Sequence, residues 1–94
     1  MIFAKATTFI INPEKTKPFL DYMFVLSKKT RMLEMNLSFE YGLQSDDKVV
    51  LIERWSSLAD YNNFVNDPNF STEFKTLTKM AKKVSVLYEF ETIK

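Results

Sequence analysis

The single tryptophan of the chain, Trp55, lies where the wall of a pocket is expected. It ends the mostly apolar run Val49–Trp55, and Ser56 and Ser57 then begin a short amphipathic segment. Strand alternation places Trp55 on the same face as Leu51 and Glu53. A large aromatic side chain at the rim of a covered strand is suited to lining an apolar pocket. The same pattern also fits a tryptophan that is simply part of the core at a strand end. Under that alternative, Glu53 pairs with a lysine at the rim of the sheet.

Other side chains that usually carry chemistry are missing, because the chain contains no histidine and no cysteine. Without histidine it lacks the usual general base near neutral pH and the commonest metal and haem ligand. Without cysteine it lacks a thiol nucleophile, a zinc thiolate site and any disulfide. These absences exclude the commonest forms of acid–base, nucleophilic and metal catalysis.

The elements that must position Trp55 follow from hydrophobic periodicity and from turn residues. The order is β-α-β-β-α-β, which predicts an α+β, ferredoxin-like antiparallel sheet with helices on one face. We expect one domain over residues 1–94. The predicted segments are strands Ile2–Ile11, Leu37–Leu43, Val49–Trp55 and Val84–Ile93, a helix from Thr16, and helical segments after Ser57 that Asn66–Asp67–Pro68 divides.

Two details of the strands carry further expectations. Gly42, the only glycine, interrupts the second strand and predicts a bulge there. In the last strand, simple alternation places Val84, Val86, Tyr88 and Phe90 on one face.

The sheet face without helices also needs cover. The first strand directs Ile2, Ala4 and Ala6 to that face, and the third directs Val50 and Ile52 to it. These residues are too apolar to face water, and the simplest cover is the same sheet of a second subunit. The sequence therefore predicts a homodimer.

The composition of the chain limits the classes of partner that it is expected to bind. The formal net charge is +1, so no strongly basic field exists to bind nucleic acid. The start of the chain lacks the pattern of a signal peptide, and no apolar run approaches the ~18 residues of a membrane span. We expect a cytoplasmic protein with neither nucleic-acid nor membrane partners.

Three segments of the chain resemble the antibiotic biosynthesis monooxygenase family of dimeric α+β barrels. They are Asn36–Glu40 (NLSFE), Val50–Trp55 (VLIERW) and Asp67–Phe70 (DPNF), and the resemblance extends over the whole chain at matching spacing. A glycine usually precedes the first segment in the family, where this chain has Met35. The resemblance implies a pocket between helices and sheet near Trp55 in each subunit.

Residue matching separates branches of that family. Polyketide oxygenases resemble this chain at Trp55 and Tyr61, but they use an asparagine where Leu51 stands. Haem-degrading members carry an asparagine, a tryptophan and a histidine where this chain has Thr7, Phe64 and Phe74. The resemblance therefore implies a reaction that needs no haem, no metal and no other cofactor.

What the resemblance implies is a cofactor-independent monooxygenase that acts on a small hydrophobic, aromatic or quinol-like substrate. Trp55 and Tyr61 are its candidate catalytic residues, with Tyr61 bonding a substrate oxygen. The candidate substrate pocket contains Thr7, Leu51, Phe64, Phe74 and Lys5, where Lys5 shares the strand face of Thr7 and favours a phenolate. The alternative is a non-catalytic small-molecule-binding or structural dimer, in which Phe64 and Phe74 are core residues that fill the pocket. An isomerase or other reaction is a third possibility.

Overall fold

Four antiparallel strands form one sheet, and three α-helices pack on one of its faces. The computed structural model describes residues 1–93. In chain order the elements are β1 (Phe3–Ile10), α1 (Thr16–Arg31), β2 (Asn36–Ser45), β3 (Lys48–Trp55), α2 (Leu58–Asn66), α3 (Pro68–Met80) and β4 (Lys83–Glu91), with a short 3-10 turn at Pro13–Lys15. The strand order in the sheet is β2-β3-β1-β4. This arrangement confirms the predicted ferredoxin-like fold.

The core lies between the helices and the face of the sheet that carries Lys5, Thr7 and Phe9, which we call the inner face. Phe9 of β1 packs against Phe19 of α1 with ring centroids 5.2 Å apart. Burial of one such side chain contributes ~1.5–3 kcal/mol. Other buried residues of this core are Met23, Leu26, Phe39, Val49, Leu51, Trp55, Phe64, Phe70 and Leu77.

The prediction for the last strand was wrong, because β4 contains an irregularity in its pairing with β1. Ala6 pairs with Tyr88 and Thr7 pairs with Val86, so Leu87 is an extra residue between them. The extra residue reverses the alternation at that point. Val86 therefore lies on the inner face, whereas Tyr88 lies on the opposite, outer face.

The predicted bulge at Gly42 was also wrong. Gly42 pairs with Val50 in continuous register, and the irregularities of β2 lie nearer its ends, between Asn36 and Ser38 and between Leu43 and Ser45. A methyl group added at Gly42 would meet nothing within 4 Å. Neither backbone conformation nor crowding therefore requires glycine at this position.

The outer face carries no helix. Ala4, Ala6 and Thr8 of β1 are buried there by their neighbours, but Ile52 of β3 and Tyr88 of β4 are exposed. The outer face of Val49–Trp55, for which the sequence predicts cover from a second subunit, is uncovered at Ile52 within one chain. Among residues 1–93, no helix has both the length and the apolar character needed to cross a membrane.

Candidate functional site

Helix α2 positions two of the predicted site residues over the end of β3. Its N-cap is Ser57, whose hydroxyl oxygen accepts a hydrogen bond of 3.1 Å from the backbone N–H of Asp60. The Ser57 hydroxyl also lies 2.8 Å from the Asp60 carboxylate. Residues three apart on a helix lie side by side, so the capped helix presents Tyr61 and Phe64 together.

Four of the predicted residues, Leu51, Trp55, Phe64 and Phe74, form one packed cluster, which we call the aromatic half of the site. The rings of Trp55 and Phe64 lie 4.4 Å apart, and those of Phe64 and Phe74 lie 5.6 Å apart. Leu51 and Trp55 are buried, and Phe64 is 3% exposed. The aromatic half is therefore closed by its own side chains.

Lys5 and Tyr61 form a second group, which with Glu53 we call the polar corner. The Lys5 Nζ donates a hydrogen bond of 2.7 Å to the Tyr61 hydroxyl. The Tyr61 ring packs on Phe3, with centroids 4.7 Å apart, and meets the Trp55 ring at 6.3 Å. Tyr61 therefore links the two halves of the site.

Two glutamates flank Lys5 on the inner face. In the sheet, Lys5 of β1 lies directly opposite Glu53 of β3 and opposite Glu89 of β4. The Lys5 Nζ is 3.8 Å from a carboxylate oxygen of Glu89, which is exposed. Directly opposed residues have Cβ atoms ~5 Å apart, so Lys5 and Glu53 are side-by-side neighbours on the inner face.

Glu53 is a site residue that the sequence reasoning missed. It is 2% exposed, and its Oε1 accepts a hydrogen bond of 2.9 Å from the Trp55 indole N–H. Burial raises the pKa of the Glu53 carboxyl to about 7, although the Trp55 hydrogen bond and the Lys5 charge lower it. The sequence signal that could have indicated its burial is its position between Leu51 and Trp55 on the apolar face of the strand.

The other two members of the polar corner hold their protons at neutral pH. Burial lowers the pKa of Lys5, but the Tyr61 hydrogen bond and the charges around the amine together raise it above its ordinary value. Burial raises the pKa of Tyr61 and outweighs the opposing effect of Lys5. The pair is therefore an ammonium ion beside a neutral phenol.

The last predicted pocket residue, Thr7, is buried beside an open apolar strip. It lies opposite Leu51 on one side and opposite Val86 on the other. Val86 is 51% exposed and Val84 is also exposed, although both lie on the inner face. The helices leave Val84 and Val86 uncovered. This apolar strip adjoins the polar corner, because Thr7 and Lys5 follow each other on the same face of β1.

Two surface depressions adjoin the aromatic half. One, of about 370 Å³, touches Trp55 and Phe64, but its rim carries the carboxylates of Glu34, Asp60 and Asp67. The other, of about 380 Å³, lies between α2 and α3 and exposes the edge of Phe74. The acidic rim makes the Trp55 depression unsuited to an anion, and Lys5 is not among its lining residues. Within residues 1–93, no group of three or more carboxylates is arranged to hold a metal ion.

Solved structures share this architecture along nearly the whole chain. A conserved protein from Methanosarcina mazei Go1 superposes with a TM-score of 0.87 at 15% identity, covering 97% of this chain and 92% of its own. An antibiotic biosynthesis monooxygenase superposes with a TM-score of 0.85 at 18% identity, covering 100% of both chains. This chain has the antibiotic biosynthesis monooxygenase fold.

A protein from Mycobacterium tuberculosis, Rv0793, has the same fold, with a TM-score of 0.81, 16% identity and 100% coverage of both chains. The sequence matches no protein-family model and no curated protein. These superpositions confirm the resemblance that the three sequence segments indicated.

Proposed function

We propose that the protein is a cofactor-independent monooxygenase of a small phenolic or quinol-like substrate. One observation carries the proposal: the Lys5 ammonium and the Tyr61 hydroxyl lie 2.7 Å apart beside the exposed strip at Val86. An ammonium and a phenol donor together suit the oxygen of a phenolate, and an apolar strip suits its ring. The monooxygenase name of a structure with the same fold supports the same reaction class.

The chemistry requires little from the protein beyond binding and charge. An ionised, electron-rich ring can itself transfer an electron to dioxygen, so the protein must hold the anion, orient it and exclude water. At the CH2 carbon of an anthrone, two hydrogen atoms are lost, one oxygen atom takes their place as a carbonyl, and the other oxygen atom leaves as water. With a quinol, one oxygen atom enters a ring C–H bond, the two hydroxyl hydrogens leave with the other oxygen atom as water, and the product is a hydroxyquinone. Lys5 stabilises the phenolate, and Tyr61 donates to its oxygen.

Trp55 has a supporting role in this scheme. Its indole N–H is already donated to Glu53, so it does not bond a substrate oxygen in this arrangement. Its ring packs against Tyr61 and Phe64 and fixes their positions. We therefore propose that Trp55 supports the site as an apolar wall and that Lys5 and Tyr61 contact the substrate.

Oxygen consumption tests the proposal directly, with a panel of reduced quinols and anthrones as substrates. We expect Lys5→Met to lower kcat/KM by about 100-fold, since one electrostatic contact to a developing anion has about that effect. Tyr61→Phe and Trp55→Phe should lower it less. Lys17→Met is the matched control, because Lys17 is an exposed lysine paired with Asp21 on the first turns of α1. Absence of oxygen uptake by the wild type on the whole panel would contradict the proposal.

A second candidate is a non-catalytic dimer that retains the fold. The closed packing of Trp55, Phe64 and Phe74 favours it, because these rings fill the space where the resemblance places a pocket. Under this alternative Lys5 and Tyr61 form a structural contact. The same panel distinguishes the two, since binding of a quinol without oxygen uptake supports a binding protein.

Under either candidate we propose a homodimer that forms through the outer face. Tyr88 and Phe90 pack on each other at 5.7 Å, and they are exposed on the same face as Ile52. Exposed clusters of large apolar side chains commonly mark subunit contacts. We expect Phe90→Glu to convert the dimer to a monomer in sedimentation velocity, whereas Met32→Glu, at the exposed end of α1, should not. A monomeric wild type would contradict the proposal.

A further inference from the structure

Glu53 is a buried carboxyl group to which the oxygenation described above assigns no role. Among the described residues, the one side-chain hydrogen bond to Glu53 comes from the Trp55 indole. A buried carboxylate is costly unless its charge is compensated or the group is protonated. Its placement one strand away from Lys5 therefore needs an explanation.

The oxygenation requires a proton acceptor, because a phenol must become a phenolate before it reacts. Lys5 holds its proton as an ammonium, and Tyr61 stays a neutral phenol, since the pKa of each is raised. Neither can accept a proton from the substrate at neutral pH. Histidine, the usual acceptor, is missing from the chain.

We propose that Glu53 is the proton acceptor of the polar corner and acts through Lys5. The inference rests on the proposed function. A substrate O–H bond breaks, its proton passes to the Lys5 amine as Lys5 gives a proton to Glu53, and the electron pair stays on the substrate oxygen. The products are a phenolate paired with the Lys5 ammonium and a neutral Glu53 carboxyl. Lys5 contacts the substrate in this scheme, and Glu53 is a positioning and proton-storing residue behind it.

The surroundings of Glu53 fit this role. Its titratable neighbours are Lys5 from β1 and Tyr61 from α2, and Glu89 of β4 stands on the far side of Lys5. From β2 it faces the uncharged Phe39, and along β3 it meets Trp55. A carboxyl whose pKa lies near 7 in these surroundings can both take and release a proton at working pH.

The first test needs no substrate, because Trp55 is the only tryptophan and donates directly to Glu53. We expect its fluorescence to change between pH 5 and pH 9 with a midpoint of about 7. Glu53→Gln preserves an acceptor for the indole but cannot ionise, so the transition should disappear. Glu89→Gln is the control, since it removes the carboxylate on the other side of Lys5 and should keep the transition.

The second test measures oxygen uptake against pH with a quinol that the wild type oxidises. We expect the wild-type kcat/KM to rise with pH through about 7. Glu53→Gln should lower it by about 100-fold at pH 8 and remove that pH dependence, while circular dichroism verifies that the variant is folded.

Three results decide the matter. A flat wild-type fluorescence titration overturns the inference, whether or not oxygen is consumed. A folded Glu53→Gln variant with the wild-type rate and pH profile also overturns it. A fluorescence transition near pH 7 in a wild type that oxidises no substrate supports the titration of Glu53 and overturns the proposed function instead.

Discussion

The aromatic half and the polar corner meet at Tyr61 of α2 and differ in almost every physical property. In the aromatic half, Trp55 and Phe64 are shielded from solvent and packed ring against ring. In the polar corner, the Lys5–Tyr61 pair is only partly buried and adjoins an uncovered strip of β4. A packed apolar cluster can hold a helix in place, whereas a partly exposed charged pair can bind a ligand.

Support of the helix and binding of a ligand are thus assigned to different residues of one fold. Trp55 turns its indole N–H inward to Glu53 and its ring toward α2. The aromatic half therefore fixes the height and orientation of α2, and α2 in turn carries Tyr61 to Lys5. A substrate that needs an anion site would meet Lys5, not the acidic rim outside Trp55.

The largest change in the free energy of unfolding is expected when a ring of the aromatic half is removed. Phe64→Ala should lower the free energy of unfolding by ~3–5 kcal/mol, because it removes a fully packed side chain and leaves a cavity. Phe24→Ala is the matched control, since Phe24 is also on a helix but is 51% exposed. It should cost ~1 kcal/mol or less. Urea unfolding measures both, and equal losses would show that the aromatic half is not closed.

The next effect concerns the pH dependence of stability, which Glu53 should dominate between pH 5 and pH 7. Its pKa rises from the ordinary 4.5 to about 7 on folding, so the folded state binds the proton more tightly than the unfolded state. The free energy of unfolding therefore falls as pH rises through this range, by about 3 kcal/mol at ~1.4 kcal/mol per pKa unit. The loss continues through the folded pKa and levels off at about pH 8, where the carboxyl is ionised in both states.

Urea unfolding at pH 5 and pH 8 measures this difference. Glu53→Gln should show almost none of the loss, because its amide does not titrate, and Glu89→Gln should retain it. Since the chain has no histidine, no ordinary histidine titration overlaps this window. A wild type that is equally stable at both pH values would show that Glu53 is not a buried, protonated carboxyl.

The sequence predicted the fold and the faces on which the aromatic side chains of the site lie, because both depend on local periodicity, but it did not predict that the rings pack shut instead of lining an open pocket. Alternation along β3 places Leu51 and Trp55 on one face, and helical spacing places Phe64 on the face of α2 that packs against the core. It did not predict the burial of Glu53, since a carboxylate near a strand end is usually exposed, whereas here it lies between Phe39 and Lys5 and is bonded to Trp55. It also missed the extra residue at Leu87, because no glycine or proline marks that position.

A smaller effect is expected at the helix cap that serves both regions. Ser57→Ala should lower the free energy of unfolding by ~1 kcal/mol, because the hydroxyl no longer accepts from the Asp60 N–H at the first turn of α2. Ser57→Thr is the control, because its hydroxyl can still accept from the Asp60 N–H and donate to the Asp60 carboxylate. Urea unfolding measures the loss, and oxygen uptake should fall as well if α2 carries Tyr61 to the substrate. An unchanged stability in Ser57→Ala would mean that packing alone fixes the helix.

The smallest effect on stability should come from the polar corner itself. Tyr61→Phe keeps the ring that packs on Phe3 and Trp55 but removes the hydroxyl that accepts from Lys5. A partly exposed hydrogen bond contributes ~1 kcal/mol or less, and water can replace it at Lys5. Urea unfolding should therefore show a loss several times smaller than that of Phe64→Ala. A loss as large as that of Phe64→Ala would mean that the Lys5–Tyr61 pair holds the fold together, and the separation of a supporting half from a binding half would then fail.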